Sequence, residues 1–326
     1  MKVLVTGGAG FIGSHVADRL IEAGAEVVVL DDLSSGRRES VNPRARLHEA
    51  DIGAAGIREL CARERFDCID HHAAQMNVRR SVDDPVFDAR VNILGSLNLL
   101  QAAVATGVKK FVFASTGGAI YGEQLSFPAD ETHQTCPMSP YGVAKLAVEK
   151  YLAVYAEIYG LAYTALRYAN VYGPRQDPHG EAGVVAIFSQ RLLAQEPAVI
   201  NGDGEQTRDF IYVDDVVRAN VLAVTTDLRG IYNVGTGIES SVNALYAYVA
   251  KHSAAAGAAR HGPPKAGEQR RSVLDCRKLQ TATNWTPAVL LDEGIRRTVA
   301  YFAAQRAARK TGSDSFSSSV LKQGPY

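Results

Sequence analysis

A tyrosine and a lysine stand four residues apart in the segment Tyr141-Gly142-Val143-Ala144-Lys145. Residues at this spacing share one face of a helix, and the run from Pro140 to Tyr159 has the pattern of a long helix. A free phenol loses its proton at about pH 10, and a neighbouring ammonium group favours the phenolate. The pair therefore predicts a positioned base that takes a proton from an alcohol. In an arbitrary helix, a surface tyrosine with an unrelated lysine would be the alternative.

Glycines recur every three residues in the segment Gly7 to Gly13. The segment follows an apolar run, residues 2–6, that predicts a buried strand, and it opens a helical pattern that ends at Gly24. Glycine permits a tight turn and a close approach of the backbone to phosphates, and the helix N-terminus offers free N–H groups. This order of features predicts a dinucleotide site. Its predicted contacts are Gly7, Gly10, Phe11, Ile12 and Gly13.

Asp31 closes the second predicted strand. A carboxylate at this place accepts hydrogen bonds from ribose hydroxyls and repels the extra phosphate of NADP, so the predicted cofactor is NAD. Arg37 and Arg38 leave NADP open as an alternative, because a guanidinium binds phosphate. Asp51 and Ile52 follow the third predicted strand and are expected near the adenine, with an ordinary loop role as the alternative for Asp51.

Composition excludes several other classes of protein. The 326 residues include 35 Lys and Arg against 35 Asp and Glu, which argues against a nucleic-acid-binding surface. No run approaches the roughly 20 apolar residues that cross a bilayer, and the N-terminal apolar run is too short for a signal peptide. The four cysteines lack metal-site spacing. These observations predict a cytoplasmic protein with no metal, membrane or nucleic-acid partner.

Short apolar runs alternate with helical patterns through the first half of the chain, which predicts an α/β fold. We expect a Rossmann-type doubly wound parallel sheet over residues 1–170, with later crossover segments from the C-terminal half, and a smaller C-terminal α/β substrate-binding domain over 171–308. In the second half, helices are predicted near 183–195, 214–225, 241–252 and 292–306, and a strand near 208–213. Residues 309–326 are rich in serine and predict a mobile tail.

Several further segments carry a resemblance that covers residues 1–305. They are Asp31 to Gly36, His72 to Gln75, Asn92, Ala114 to Gly122, Arg167 to Pro174 and Thr207 to Asp215. With the glycine segment and the Tyr141–Lys145 pair, they resemble the extended short-chain dehydrogenase/reductase family, in its branch of nucleotide-sugar epimerases and dehydratases.

The resemblance implies roles for the pair and for a nearby hydroxyl. Tyr141 resembles the family's base, and Lys145 resembles the partner that also holds the nicotinamide ribose. Ser115 or Thr116 resembles the hydroxyl that binds the reacting sugar oxygen. Gly117 stands where many epimerases carry a further serine, which leaves open which hydroxyl acts; we favour Thr116, with Ser115 as the alternative. The cofactor contacts implied by the resemblance are Asp32, Ala73, Ala74, Gln75, Asn92, Ser115, Tyr141, Lys145 and Tyr168.

Gly117 and Gly118 also help to choose the reaction. Relatives that dehydrate nucleotide sugars carry an acidic pair after their threonine, and glycine can do no acid–base work. The expected reaction is therefore NAD-dependent 4-epimerisation of a UDP-hexose (glucose, galactose or an N-acetylated form) through a transient 4-keto sugar. The alternatives are a UDP-glucuronate 4-epimerase or decarboxylase, a 4-ketoreductase, a 4,6-dehydratase with its acid elsewhere, and a non-catalytic dinucleotide sensor.

On the substrate side, Asn170 and Arg208 resemble the family's diphosphate ligands. Asn201 lies in an Asn-Gly-Asp-Gly segment that resembles the loop near the uracil, with a plain hairpin turn as the alternative. Glu268 aligns with the acid that binds the nucleotide ribose.

Lys265 replaces a usual arginine of this family, for which Arg270 or Arg271 is an alternative. Ser272 lies where relatives use residue size to admit or exclude N-acetyl groups. We expect a small residue there to admit both plain and N-acetylated hexoses, with an uninvolved surface serine as the alternative.

Two helical patterns, Pro85 to Thr106 and Pro140 to Tyr159, are apolar on more than one side. A helix with two apolar faces must bury both. One face would cover the sheet, and the resemblance implies that the other forms a four-helix bundle in a homodimer.

Overall fold

The computed structural model describes residues 1–178, 183–255, 259–264 and 269–320, with side chains up to residue 308. The strands within these ranges are β1 (Lys2–Thr6), β2 (Glu26–Asp31), β3 (Arg46–Glu49), β4 (Cys68–His71), β5 (Lys110–Thr116), β6 (Ala162–Tyr168), β7 (Asn170–Tyr172), β8 (Val199–Asn201), β9 (Thr207–Tyr212), β10 (Gly230–Val234), β11 (Glu239–Ser241), β12 (Arg260–Gly262) and β13 (Arg271–Ser272). The helices are α1 (Phe11–Glu22), α2 (Ile57–Glu64), α3 (Val78–Asp83), α4 (Pro85–Ala89), α5 (Gly95–Thr106), α6 (Gly117–Ile120), α7 (Pro140–Tyr159), α8 (Val184–Leu193), α9 (Val213–Thr225), α10 (Val242–Ser253), α11 (Arg277–Thr283) and α12 (Leu291–Val320). A 3₁₀ turn spans Arg38–Ser40 and a π-helical turn spans Arg90–Leu94.

Seven strands form one parallel sheet in the order β10-β6-β5-β4-β1-β2-β3. Every neighbouring pair in this sheet is parallel. The α/β prediction is therefore confirmed. The strand order reverses at β1, which pairs with both β2 and β4. At such a reversal, the connections leave the carboxyl ends of the strands in opposite directions and open a crevice that binds ligands.

Helices cover both faces of this sheet, which explains why β1, β2 and β5 are nearly continuous apolar runs. On one face, Leu60 of α2, Leu99 of α5 and Leu152 of α7 share a core with side chains of the sheet. On the other face, Val16 of α1 and Val216 of α9 belong to a second core. None of the described helices is both long and apolar enough to cross a membrane.

Strand β9 organises the second half of the chain. It pairs with β7 and β13 in parallel and with β11 in antiparallel orientation, while β8 and β12 form a separate parallel pair. Phe188, Tyr212 and Trp285 from this half belong to the same core as Val16 of α1. The two halves thus share one apolar core. The domain boundaries given above stay a prediction.

Some elements differ from the sequence-based expectation. The helix predicted over 85–106 contains the π-helical turn Arg90–Leu94 between α4 and α5. The last helix, expected near 292–306, continues to Val320 and so includes much of the segment predicted as a tail. Serine-rich composition lowers helix propensity only weakly. The mobility of the tail stays a prediction.

Candidate active site

The loop between β1 and α1 has no room for side chains. A Cβ atom on Gly7, whose φ is +67°, would lie 2.6 Å from the backbone nitrogen of Ala73, and one on Gly13 would lie 2.3 Å from the Gly7 carbonyl oxygen. Gly10 begins α1 and provides no side-chain cap to the N–H groups of the first turn, which starts with Phe11 and Ile12. Backbone donors at the positive end of a helix dipole fit the diphosphate of a dinucleotide.

Asp31 ends β2 with a buried carboxylate that accepts hydrogen bonds from the backbone N–H groups of Ala9 and Leu33, both at 2.9 Å. Burial raises the pKa of this carboxyl above its ordinary value. Asp32 is exposed and accepts a hydrogen bond from the Ser34 backbone at 2.9 Å. Of the two arginines considered for an NADP phosphate, Arg38 forms an ion pair with Glu49.

The two residues expected near the adenine have different surroundings. Ile52 is buried against Gly95, where an added Cβ atom would lie 2.6 Å from the Ile52 Cδ1 atom. The carboxylate of Asp51 is exposed and accepts a hydrogen bond from the Gly53 backbone at 2.5 Å. This contact is the ordinary loop role that the sequence left open for Asp51.

The residues that follow β4 approach the glycine loop and the π-helical turn. Ala73 packs against Gly7, and Ala74 follows it along the same edge. Gln75 and Asn92 exchange two hydrogen bonds, each of 2.9 Å, between the backbone of Gln75 and the amide side chain of Asn92. The fold thus brings these four predicted cofactor residues to the crevice edge.

Tyr168 is the last residue of β6, so it lies at the same edge of the sheet as the residues that follow β4. Its ring stacks on that of His72, with 6.5 Å between the centroids, and its hydroxyl donates to Asn220 Oδ1 at 2.8 Å. Thr116, at the end of β5, is its partner in the strand register. The fold therefore places Tyr168 beside the hydroxyl pair of β5.

Tyr141 and Lys145 lie in the first turns of α7, whose start is fixed by the Ser139 cap and by Pro140. The Lys145 ammonium group is buried, donates to the Ala114 carbonyl at 2.9 Å and lies 5.9 Å from the Tyr141 ring centroid. Burial lowers the pKa of Lys145 to about 8, against the opposing effect of nearby carboxylates. Burial and the charge of Asp88 raise the pKa of Tyr141. Both effects oppose the phenolate that the sequence analysis expects Lys145 to favour.

The two candidate hydroxyls of β5 differ sharply in their contacts. Ser115 is buried and donates to Glu149 Oε1 at 2.6 Å. Glu149 is in turn bound by Arg167 through contacts of 2.6 and 2.9 Å. Thr116 is only half-buried. These contacts favour Thr116 as the hydroxyl that meets a substrate.

The glycine pair after Thr116 shapes the same place. A Cβ atom on Gly117 would lie 2.5 Å from Leu274 Cδ1, so a serine there would require the Leu274 side chain to shift. A Cβ atom on Gly118 would lie 3.9 Å from Thr116 Oγ1 and 3.8 Å from Asn170 Oδ1. Thr116 and Asn170 thus meet next to Gly118, although they belong to different strands.

The remaining predicted substrate residues gather around β9. Arg208 lies on β9 opposite the buried Ser272 of β13 in the strand register, and it donates to the Thr207 carbonyl at 2.8 Å. Asn201 ends β8 and is half-buried. Glu268 and Lys265 lie outside the described residues.

The two arginines offered as substitutes for Lys265 already form ion pairs. Arg270 pairs with Asp203 at 2.9 Å and Arg271 with Glu239 at 2.5 Å. Among the described residues, no group of three or more His, Cys, Asp or Glu is placed to hold a metal ion.

Comparison with known proteins decides the family. Residues 3–235 match the NAD dependent epimerase/dehydratase family. This chain belongs to that family. A UDP-glucose 4-epimerase from Mycolicibacterium smegmatis is 47% identical over 308 residues, which is 93% of this chain and 98% of the relative.

Two solved structures of family members are similar in fold. One is a UDP-glucose 4-epimerase from Thermotoga maritima with UDP-glucose (TM-score 0.91, 49% identity, 94% of this chain and 99% of that chain). The other is the Thermus thermophilus UDP-glucose 4-epimerase in complex with NAD (TM-score 0.88, 48% identity, 93% of this chain and 99% of that chain). The prediction of NAD as the cofactor is confirmed for this family member, and the glycine cradle fits it.

Two buried carboxylates near the family's tyrosine and lysine escaped the sequence analysis. Glu149 follows Lys145 by four residues, and Asp88 precedes Asn92 by four. Both are about 1% exposed. Acidic residues are almost never fully buried without a partner. The available signal was their spacing. Each acid lies four residues from a predicted site residue, on a helix whose apolar pattern predicts burial.

The contacts of Ser115 and Thr116 predict opposite mutant behaviour. Thr116→Val should lower turnover by about 100-fold, because a hydrogen bond to the reacting oxygen is lost. Ser115→Ala should largely keep turnover and lower the free energy of unfolding by about 1 kcal/mol. Steady-state kinetics and chemical denaturation of both variants separate the two effects. A large loss of turnover in Ser115→Ala, with little in Thr116→Val, would reverse the assignment.

Proposed function

We propose that this protein is a UDP-hexose 4-epimerase that interconverts UDP-glucose and UDP-galactose and keeps NAD bound through turnover. One observation carries the proposal. The Thr116 hydroxyl and the Asn170 amide both lie next to Gly118, and Gly117 and Gly118 stand where an eliminating enzyme would carry acids. The names of the similar proteins support the same reaction. A cytoplasmic location stays a prediction.

The chemistry divides simply among the residues. Bound NAD supplies reversible acceptance of hydride from the sugar carbon. Tyr141 takes the proton of the C4 hydroxyl at its phenolic oxygen and later returns it, while Thr116 orients the sugar oxygen. If the 4-keto sugar turned about its diphosphate link between these two events, the opposite face of C4 would meet the cofactor, and Tyr141 would return the proton to the C4 oxygen. Burial and the Asp88 charge raise the pKa of Tyr141, whereas a positive nicotinamide ring would favour the phenolate.

Binding of the cofactor and substrate rests on residues already at the crevice. Gly7, Gly10 and Gly13 would cradle the cofactor diphosphate, and Asp31 would accept the adenosine ribose hydroxyls. Arg208 and Asn170 would hold the diphosphate of the sugar nucleotide, with Asn201 near its base. A guanidinium matches two phosphate oxygens at once, which suits Arg208 to this role.

A homodimer is part of the proposal. Val86 on α4, Leu94 at the end of the π-helical turn, and Val143, Val154 and Ile158 on α7 are all about half or more exposed. The opposite side of α7 is buried in the core of the sheet through Val148, Leu152 and Tyr155. An apolar face this extended marks an association site, and its continuity along packed helices suits a second copy and a four-helix bundle.

The substrate test uses the protein without added cofactor. We expect a panel of UDP- and dTDP-sugars, followed by NMR, to show interconversion of UDP-glucose and UDP-galactose, and denaturation to release NAD. Tyr141→Phe should lower turnover at least about 100-fold because the proton acceptor is lost. Calorimetric binding of UDP-glucose by this variant should persist. Full activity of the variant, or a dehydrated product from the native protein, would contradict the proposal.

The small side chain of Ser272 leads us to expect that the enzyme accepts N-acetylated as well as plain UDP-hexoses. Ser272→Tyr should abolish turnover of UDP-N-acetylglucosamine and spare UDP-glucose, because the ring fills the space for the acetamide. Ser272→Ala, the matched control, should keep both substrates. Kinetics with both sugars and a thermal melt check this, and equal loss of both activities in a folded Ser272→Tyr protein would show that the residue does not select the substrate.

The dimer prediction is tested with one charge in the exposed apolar face. We expect the native protein to scatter light as a dimer at micromolar concentration and Ile158→Glu to scatter as a monomer. Leu290→Glu places the same charge on another exposed apolar residue and should leave the dimer intact. A native protein that is monomeric under these conditions would overturn the prediction.

A further inference from the structure

Asp88 lies on α4, which packs against α7, the helix that carries Tyr141 and Lys145. Its side chain is about 1% exposed. The Oδ1 atom accepts hydrogen bonds from the side-chain amides of Gln75 and Asn92, both at 2.9 Å. The Oδ2 atom is buried and has no hydrogen-bond partner among the described residues. Burying a charged carboxylate costs free energy unless the charge is paired and hydrogen-bonded.

The surroundings of Asp88 connect it to the catalytic helix and to solvent. It borders a cleft of about 510 Å³ between α4 and the start of α7, whose lining includes Ser139, Pro140, Val143 and Ala144. Ala144 lies between the tyrosine and the lysine in the sequence. Helices α4 and α7 are packed against each other. The carboxylate therefore lies beside the first turns of α7, next to a solvent-accessible space.

Other charged groups near the pair have settled roles. Glu149, further along α7, is held by Arg167. His71 of β4 is buried between Thr6 and Ser96, and burial lowers its pKa well below the usual range, so it stays neutral.

The remaining charges near α4 belong to solvent-facing residues. Arg79, Arg80 and Asp83 of α3 and Arg90 of the π-helical turn are exposed. Asp88 on α4 and Asp70 on β4 are both buried carboxylates with oxygens that lack a hydrogen-bond partner among the described residues. Asp70 lies 3.0 Å from His72 Nε2, whereas Asp88 lies on a helix that packs against α7.

We propose that Asp88 is a positioning residue whose negative charge opposes ionisation of Tyr141, supports the Lys145 ammonium and so sets the pH range of catalysis. The inference rests on the proposed function, because it assigns Tyr141 as base and Lys145 as its cationic partner. In agreement, the Asp88 charge acts to raise the pKa of both Tyr141 and Lys145.

The sign of the effect follows from removal of the charge. Without the carboxylate, the phenolate is less disfavoured and the ammonium group less favoured, so both groups lose their protons at lower pH. The reaction needs Tyr141 deprotonated and Lys145 protonated. Both limbs of the pH–rate profile must therefore move in the same direction, towards lower pH.

The test measures pH–rate profiles of NAD-loaded enzyme with UDP-galactose for native protein, Asp88→Asn and Asp83→Asn. We expect Asp88→Asn to shift both limbs down by about 1 pH unit. Asp83→Asn, which removes the same charge from an exposed site nearby, should leave the profile unchanged. A lower rate with unmoved limbs would mean a purely structural role and overturn the proposal. Asp88→Ser, a smaller neutral replacement, gives the same test if Asp88→Asn fails to fold.

A second readout does not depend on turnover. Holoenzyme labelled with ¹³C at the tyrosine Cζ atom reports ionisation of Tyr141 by NMR, with the signal assigned by its absence in Tyr141→Phe. Asp88→Asn should move this titration to lower pH, and an unchanged titration would overturn the proposal. If the native protein does not convert UDP-sugars, the proposed function is wrong, while this measurement still tests Asp88.

Discussion

The ion pair between Glu149 and Arg167 is the contact on which the geometry of the active site depends. It joins α7 to β6 in the interior, where both side chains are less than 5% exposed. Removing one partner of such a pair costs about 3 to 5 kcal/mol, because the other charge stays buried and uncompensated. The pair is satisfied on every side, since Glu149 also accepts from Ser115 and Arg167 donates to the Tyr121 hydroxyl at 2.9 Å.

This network fixes three elements relative to one another. The hydroxyl of Ser115 anchors the end of β5 to α7, and the helix carries Tyr141 and Lys145 in its first turns. The next residue of β5, Thr116, then faces the crevice side of the site by strand alternation. A single buried cluster thereby joins β5, β6 and α7 next to the candidate site.

The sequence predicted the parallel sheet, the phosphate loop and the catalytic helix, because each has a local pattern. Val, Ile and Leu runs, glycines every three residues, and Tyr and Lys at helical spacing act within a few positions. The short strands β7, β8 and β11 to β13 were not predicted, since two or three residues carry no periodicity and their pairing is decided by tertiary contacts. The choice between Ser115 and Thr116 was equally beyond the sequence. It depends on Glu149, which lies 34 residues away along the chain.

The position of β10 at the edge of the main sheet has a consequence for synthesis of the chain. This strand pairs with β6, although it follows β6 by more than 60 residues. Until residue 234 has left the ribosome, the backbone groups along one side of β6 are unpaired and open to another strand. The sheet of the first half of the chain is therefore completed by a strand from the second half. A fragment that ends near residue 170 would expose the edge of β6 that β10 covers. We expect such a fragment to aggregate before any loss of affinity for NAD becomes measurable.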